Sequence, residues 1–172
     1  MRHIVNLVFS LLIGILFYLV LTLLYGCPQA KASCFEAQDI QLKSTIGKTH
    51  TIKQYRGKVV VVSFWATWCK PCLAELKYLN KLAEKNKDKM VVLAISIDGP
   101  QTQARVNQKI RRFKNITVLL DPSGATNPTS QVPYTIFVNT LGKQCYDKRG
   151  FIRGDEQEIE NKVNELNGAS SR

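Results

Sequence analysis

The sequence predicts an α/β protein: a mixed central sheet flanked by helices on both faces, with a β-hairpin in front of it and an N-terminal transmembrane or signal helix. Three observations predict it. Residues 4–24 carry no charge. Three short, nearly continuous apolar runs, 59–65, 90–97 and 116–120, alternate with two stretches whose apolar residues recur at helical spacing. Two further strand-like runs joined by a tight turn then precede a last helical stretch. Continuous apolar runs mark strands covered on both faces. The alternating part therefore reads as β-α-β-α-β with parallel strands, and the closing pair adds antiparallel ones.

The chain opens Met1, Arg2, His3, and from Ile4 to Leu24 only Asn6, Ser10 and Thr22 interrupt the apolar run. A helix of that length is about 31 Å long, enough to cross a hydrocarbon core. Arg2 before the span would stay in the cytoplasm, sending the rest outward. Two other readings stand beside this uncleaved anchor. Leu24-Tyr25-Gly26-Cys27 resembles a bacterial lipobox, which makes Cys27 a lipidation candidate. Ala30-Lys31-Ala32 has the small-x-small form of a signal-peptidase site. All three attach or export the chain so that its folded part faces the periplasm or cell exterior. Residues 1–27 are thus expected to be signal or anchor, 28–37 linker, and 38–168 the folded domain.

Within that domain, 39–53 reads as a strand pair turning at Gly47-Lys48, with Ile40, Leu42, Thr49 and Thr51 alternating. Tyr55 to Lys58 is a turn. Between 70 and 87, Leu73, Leu76, Tyr78, Leu79 and Leu82 make one stripe and lysines the other. A second helix, 101–113, turns Val106, Ile110 and Phe113 inward. The third apolar run closes at Asp121-Pro122-Ser123-Gly124. A hairpin around Leu141-Gly142 joins 134–139 to 143–148, and 156–166 is a helix with Ile159, Val163 and Leu166 inward.

Composition narrows function. Of 172 residues, 45% are hydrophobic and 22% charged, which excludes a disordered chain. Only His3 and His50 are histidines, too few for His-cluster metal chemistry. The net charge of +11 concentrates on Lys77, Lys81, Lys85, Lys87 and Lys89 and on Lys109, Arg111, Arg112 and Lys114. These read as solvated helix faces or as attraction to anionic headgroups. No aromatic interleaving or reading motif accompanies them, so nucleic acid is not an expected partner.

The chemistry sits at Trp68-Cys69-Lys70-Pro71-Cys72, directly after a buried strand and at the mouth of a helix. Two cysteines three apart at a helix start face the same way, within disulfide reach. Cys69 would lie where unsatisfied N–H groups and a partial positive charge stabilise a thiolate, and Lys70 adds a cation. Cys72, deeper in the turn, is the natural resolving thiol. Pro71 needs no N–H in a first turn. Half a zinc site and a purely structural disulfide are the competing readings; a second CxxC and a neighbouring histidine are missing, so no metal or cofactor is expected.

Phe64-Trp65-Ala66-Thr67-Trp68-Cys69-Lys70-Pro71-Cys72 resembles the active-site segment of thioredoxin-fold proteins. Gly57-Lys58, Ile95-Ser96-Ile97-Asp98, Asp121-Pro122-Ser123-Gly124, Val132-Pro133 and Leu141-Gly142-Lys143 follow in the order of the membrane-tethered TlpA/ResA group of thiol–disulfide oxidoreductases. The resemblance implies a thioredoxin-like fold and a cis Pro133 facing the CxxC, with the backbone of Val132 turned outward to pair with a client peptide. Trp68, Lys70, Pro71, Val132, Pro133 and Tyr134 would then line the client site. It implies that Glu75, one turn after Cys72, takes a proton during resolution; a solvated helix glutamate is the other reading. It also implies client proteins with disulfides or thiols, apocytochrome c among them, and an integral-membrane electron donor. The same site run backward is a disulfide oxidase. A non-catalytic CxxC module binding a metal or client, and a peroxidase on the same fold, are the other classes. The chain departs from the pattern at Ser63, where thioredoxin has a buried aspartate. Lys77 and Tyr78 stand where many members have proline, Tyr134 where a smaller residue is usual, and 125–131 is a shortened loop.

Cys27, Cys34 and Cys145 remain. With Cys27 lipidated or at the membrane edge, Cys34 and Cys145 form an even pair that would oxidise outside the cytoplasm into a structural disulfide. Cys145 as a buried apolar thiol is the alternative.

Overall fold

Val59 to Val62 puts four β-branched residues in a row, which disfavours helix and suits a strand covered on both sides. The computed structural model, which describes residues 10–20 and 33–168, sets them near the middle of one eight-stranded sheet. In chain order the elements are α1 (residues 10–20), β1 (Phe35–Glu36), β2 (Gln41–Ser44), β3 (Thr49–Thr51), a 3-10 turn (Lys53–Tyr55) and β4 (Val59–Trp65). Then come α2 (Lys70–Lys85), β5 (Met90–Ser96), a 3-10 turn (Pro100–Thr102), α3 (Gln103–Ile110), β6 (Thr117–Leu120), β7 (Tyr134–Val138), β8 (Lys143–Arg149) and α4 (Asp155–Gly168). The sheet order is β1-β8-β7-β4-β5-β6-β2-β3. Strands β4, β5 and β6 run parallel and all other pairs are antiparallel, which makes the sheet mixed.

The period of two along β4 divides the core. Val59, Val61 and Trp65 join one buried cluster with Leu76, Leu79, Val106, Ile159 and Val163. Val60, Val62 and Phe64 join a second with Leu93, Ile95, Tyr134, Ile136 and Val138. The buried apolar residues of α2, α3 and α4 all belong to the first cluster. The expectation of helices on both faces is corrected here. Strands β4, β5 and β6 are successive neighbours, so two right-handed crossovers step in one direction and lay α2 and α3 on the same side. The opposite face is covered by a strap running from Ala37 to Ile40 and by Ile52. The β6–β7 connection, residues 121–133, holds turns and no helix. Each of Leu76, Leu79 and Leu82, at most 1% exposed, contributes about 2 kcal/mol through burial.

Three local departures follow from packing. In β3 the inward residue is His50 rather than Thr49 or Thr51: it pairs with Leu42 and sets Nδ1 2.6 Å from the Tyr55 hydroxyl. Helix α3 ends at Ile110, and Phe113 reaches the core through a turn closed by its N–H on the Ile110 carbonyl at 2.8 Å. Residues 35 and 36, within the stretch expected as linker, add an edge strand to β8.

Register places Cys34 opposite Cys145, and the two are bonded, with Cα atoms 4.2 Å apart. Cys145 is therefore not a free buried thiol. Ala37 N–H to Gly142 O (3.2 Å) and the exposed Arg56–Glu36 pair (3.2 Å) also hold the strap, but exposed ion pairs contribute little. The bridge closes 111 residues of sequence, and loops of that order stabilise by about 3–5 kcal/mol through the unfolded chain. Replacing Cys34 and Cys145 together with serine is expected to cost about 3 kcal/mol in urea unfolding and to leave thiol exchange at Cys69 and Cys72 unchanged. An unchanged midpoint would show that the strap is held by its other contacts.

Residues 10–20 are helical, with Leu11, Leu16 and Phe17 more than 60% exposed. The chain divides into two compact units after residue 32, and this helix belongs to the first. Among the described residues no helix is long and apolar enough to cross a membrane. The remainder of the expected span 4–24, and Cys27, lie outside the described residues.

Candidate active site

Strand β4 delivers the chain into a short loop, and a buried carboxylate holds that loop still. Asp98, just past β5, accepts the Thr67 N–H at 2.8 Å and the Thr67 hydroxyl at 2.7 Å, with Ser96 Oγ donating at 2.9 Å. Cys69 then caps α2: its backbone is extended and its Sγ accepts the Cys72 N–H at 3.2 Å, with Pro71 in the first turn. Cys69 and Cys72 form a disulfide, S–S 2.00 Å and Cα–Cα 5.3 Å. Cys72 is fully buried and Cys69 is 5% exposed, flanked by exposed Trp68 and Lys70. The N–H that Cys69 sulfur accepts in the disulfide is available to a thiolate in the dithiol form.

The Val132–Pro133 bond is cis. Phe64 pairs with Tyr134, so Pro133 lies opposite Trp65, at the sheet end from which the CxxC loop departs. Its carbonyl accepts the Gly150 N–H at 2.8 Å. Val132 is half-buried against the helix-side cluster that also contains Cys69 and Cys72. Tyr134 needs a correction. Alternation turns its ring onto the helix-free face, stacked on Phe64 at 6.1 Å and 5% exposed, so it does not line a client site beside the CxxC.

The same alternation turns Thr135 toward α2. Glu75 has no exposed surface, which rules out the solvated reading. Its Oε2 accepts the Ser63 hydroxyl at 2.9 Å and its Oε1 the Thr135 hydroxyl at 2.7 Å. Ser63 and Thr135 are register partners on β4 and β7, so the two central strands present a pair of hydroxyls to one carboxylate. Burial pushes the Glu75 carboxyl up to about 7; the two hydroxyls and Lys148 pull it down, and Asp155 adds a smaller push upward. Glu75 follows Cys72 by three residues on α2 and shares its face. Thr135 was legible only as a hydroxyl in an otherwise apolar strand directly across from Ser63. Among the described residues, no group of three or more His, Cys, Asp or Glu is arranged to hold a metal ion.

A mixed sheet with a redox-capable pair at a helix mouth, a cis proline beside it and a buried acid one turn on defines a thiol–disulfide oxidoreductase of the thioredoxin fold. The AhpC/TSA family model matches residues 35–144, and the chain belongs to that family. It is a ResA-like member: it is 31% identical over 119 residues to the thiol-disulfide oxidoreductase ResA of Bacillus thuringiensis subsp. konkukian, covering 67% of this chain and 68% of that one. Among solved structures it is similar to the pneumococcal exposed lipoprotein thioredoxin Etrx1 of Streptococcus pneumoniae (32% identity, TM-score 0.64, 74% of this chain and 99% of that one). A Chlorobium tepidum structure, provisionally assigned as the thiol:disulfide interchange protein DsbE, shares the fold at 24% identity and TM-score 0.71, over 78% of this chain and 97% of that one.

Proposed function

We propose that the protein reduces disulfides of client proteins outside the cytoplasmic membrane, with Cys69 as nucleophile, Cys72 as resolving thiol and Glu75 as proton acceptor. The observation that carries this is the Cys69–Cys72 pair at the start of α2 with a fully buried, hydroxyl-held Glu75 one turn away. In the dithiol form, the Cys69 thiolate attacks a client disulfide and forms a mixed disulfide, and the departing client sulfur takes a proton. Cys72 gives its proton to Glu75 and attacks the Cys69 sulfur. The second client sulfur leaves as a thiolate and takes a proton from solvent, Glu75 gives up the proton it received, and Cys69–Cys72 closes. Two electrons pass from protein to client, and an integral-membrane donor is the proposed source that restores the dithiol.

Trp68, Lys70 and Pro71 around Cys69, and Val132 and Pro133 across from it, form the proposed client surface. Residues 1–27 serve as signal or anchor, and the folded domain begins before the expected boundary at 38, since Cys34, β1 and Ala37 are bound into it; the exposed apolar helix 10–20 supports attachment to a membrane. The Cys34–Cys145 bridge supports an oxidising compartment, the periplasm or cell exterior. Apocytochrome c is a candidate client by resemblance. Direction is tested by equilibrating Cys69/Cys72 against glutathione or dithiothreitol. A potential near −270 mV, as in thioredoxin, is the expected result; one near −120 mV, as in strong oxidants, makes the protein an oxidase.

A further inference from the structure

Lys148 is a lysine turned inward. On β8 it is the register partner of Thr135 on β7, and the Thr135 hydroxyl donates to Glu75 Oε1 at 2.7 Å. Register partners in an antiparallel pair share a face, with Cβ atoms about 5 Å apart. Lys148 therefore stands one strand beyond the hydroxyl that holds the acid. From α4, Asp155 Oδ1 lies 3.3 Å and Glu158 Oε2 2.9 Å from its ammonium nitrogen. The Lys148 and Asp155 side chains are each 14% exposed, and no other ion pair among the described residues has both partners so covered.

Stability is a poor reason for such a pair. Taking two charges out of water costs about as much as their attraction returns, and apolar substitutes often serve as well. Position offers another reason. Glu75 has no exposed surface. The polar and charged groups that face it are Cys72 from its own helix, Ser63 from β4, Thr135 from β7, Lys148 from β8 and Asp155 from α4. Burial raises its carboxyl most; the hydroxyls and Lys148 draw it down, and Asp155 pushes it up. An unshared ammonium one strand away would keep the carboxylate charged and unwilling to take a proton from Cys72. With no cation there, burial would keep it protonated and unable to accept one. An ammonium shared with two carboxylates lies between these extremes. Around the outer carboxylate, Glu158 also accepts the Tyr146 hydroxyl, and Lys162 sits over the Tyr146 ring at 5.1 Å.

We propose that Lys148 is a positioning residue for the resolution step: held between β8 and α4 by Asp155 and Glu158, it sets the balance between the charged and neutral forms of Glu75. The inference rests on Glu75 as the proton acceptor and adds the charges that adjust it. Lys148 touches neither sulfur and takes part in no bond exchange.

The test is stopped-flow resolution of the mixed disulfide that the reduced full-length protein forms with a disulfide peptide, followed from about pH 5.5 to 9. Lys148→Gln is expected to move the inflection of the rate up by about one pH unit. Such a shift slows resolution about eightfold at pH 6.5 and hardly at all at pH 8.5. Lys148→Arg is expected to restore the parental profile. Asp155→Asn is expected to move the inflection the other way, because it frees the ammonium; asparagine can still accept the Ile152 N–H that Asp155 accepts at 2.9 Å. Glu158→Gln, at a side chain 46% exposed and so tolerant of change, is expected to move it in the same sense as Asp155→Asn. Carbon NMR of glutamate-labelled protein, with the Glu75 signal assigned through Glu75→Gln, is expected to show the same opposed shifts. A loss of rate that is equal at every pH, or shifts of one sign in the lysine and acid variants, gives the pair a merely structural role and overturns the proposal. An inflection that Glu75→Gln abolishes but none of these variants moves overturns it too, and leaves Glu75 as the acceptor. An inflection that survives Glu75→Gln overturns the acceptor reading itself.

Discussion

Cys69→Ser is expected to abolish insulin-disulfide reduction, by at least about 10³-fold, whereas Cys72→Ser is expected to stop after the first step and accumulate a covalent client adduct on Cys69. The asymmetry comes from where α2 places the two sulfurs. Cys69 caps the helix, retains some exposure, and sits between exposed Trp68 and Lys70. Cys72 is sealed in the first turn, where a client sulfur has no approach. A serine at 69 offers a hydroxyl that is not ionised near neutral pH, so no nucleophile remains at the only accessible position. A serine at 72 leaves that nucleophile intact and removes the group that would release the client. Mass spectrometry of the alkylated protein after exposure to a disulfide peptide reads both outcomes. An adduct on Cys72 in the Cys69→Ser protein, with none on Cys69 in the Cys72→Ser protein, would reverse the assigned roles.

Sequence reasoning reached the parts of this site that depend on local order. The run Val59 to Trp65 followed by Trp68-Cys69-Lys70-Pro71-Cys72 specifies a buried strand, a tight exit and a capped helix, and each is present. It reached less where tertiary geometry decides. Ser63 stood out as a departure, yet its partner Thr135 is 72 positions away, and only the β4–β7 register brings both hydroxyls to Glu75. Tyr134 was expected at the client site because it adjoins Pro133. Strand alternation sends its ring through to the other face, where it is buried against Phe64. The one-sided placement of the helices was also hidden. A β-α-β-α-β pattern leaves strand order open, and the order determines the side on which each crossover lies. The shortened stretch 125–131 is visible in the sequence; that the strap and Ile52, and no helix, cover this face of the sheet is not.

Glu75→Gln is expected to slow resolution by about 10²-fold, the scale of a lost proton acceptor, while making the fold more stable above neutral pH. The two effects share one cause. Glu75 ionises with no exposed surface, and burial raises its carboxyl from 4.5 to about 7 against the pull of Ser63, Thr135 and Lys148, with Asp155 adding a smaller push. Between those two values the unfolded chain has released this proton and the folded protein retains it. The native state then binds more protons, so the contribution of Glu75 to stability falls as pH rises from 4.5 through 7 and is level above. The full difference is about 3 kcal/mol, since each pH unit of separation corresponds to about 1.4 kcal/mol. Glutamine keeps the shape and an acceptor oxygen, and its amide finds acceptor lone pairs on the same two hydroxyls, so the variant escapes most of that loss. Urea unfolding is expected to show a stability difference between variant and parent that shifts in favour of the variant from pH 4 to pH 8, since other titrating groups such as Asp121 and Glu158 act equally on both proteins. In stopped-flow exchange, the inflection of the resolution rate near pH 7 is expected to vanish with the substitution. A variant that resolves at the parental rate with the same inflection would remove Glu75 from the proton path. A variant no more stable than the parent at pH 8 would show that the buried carboxylate is compensated by its hydroxyl partners.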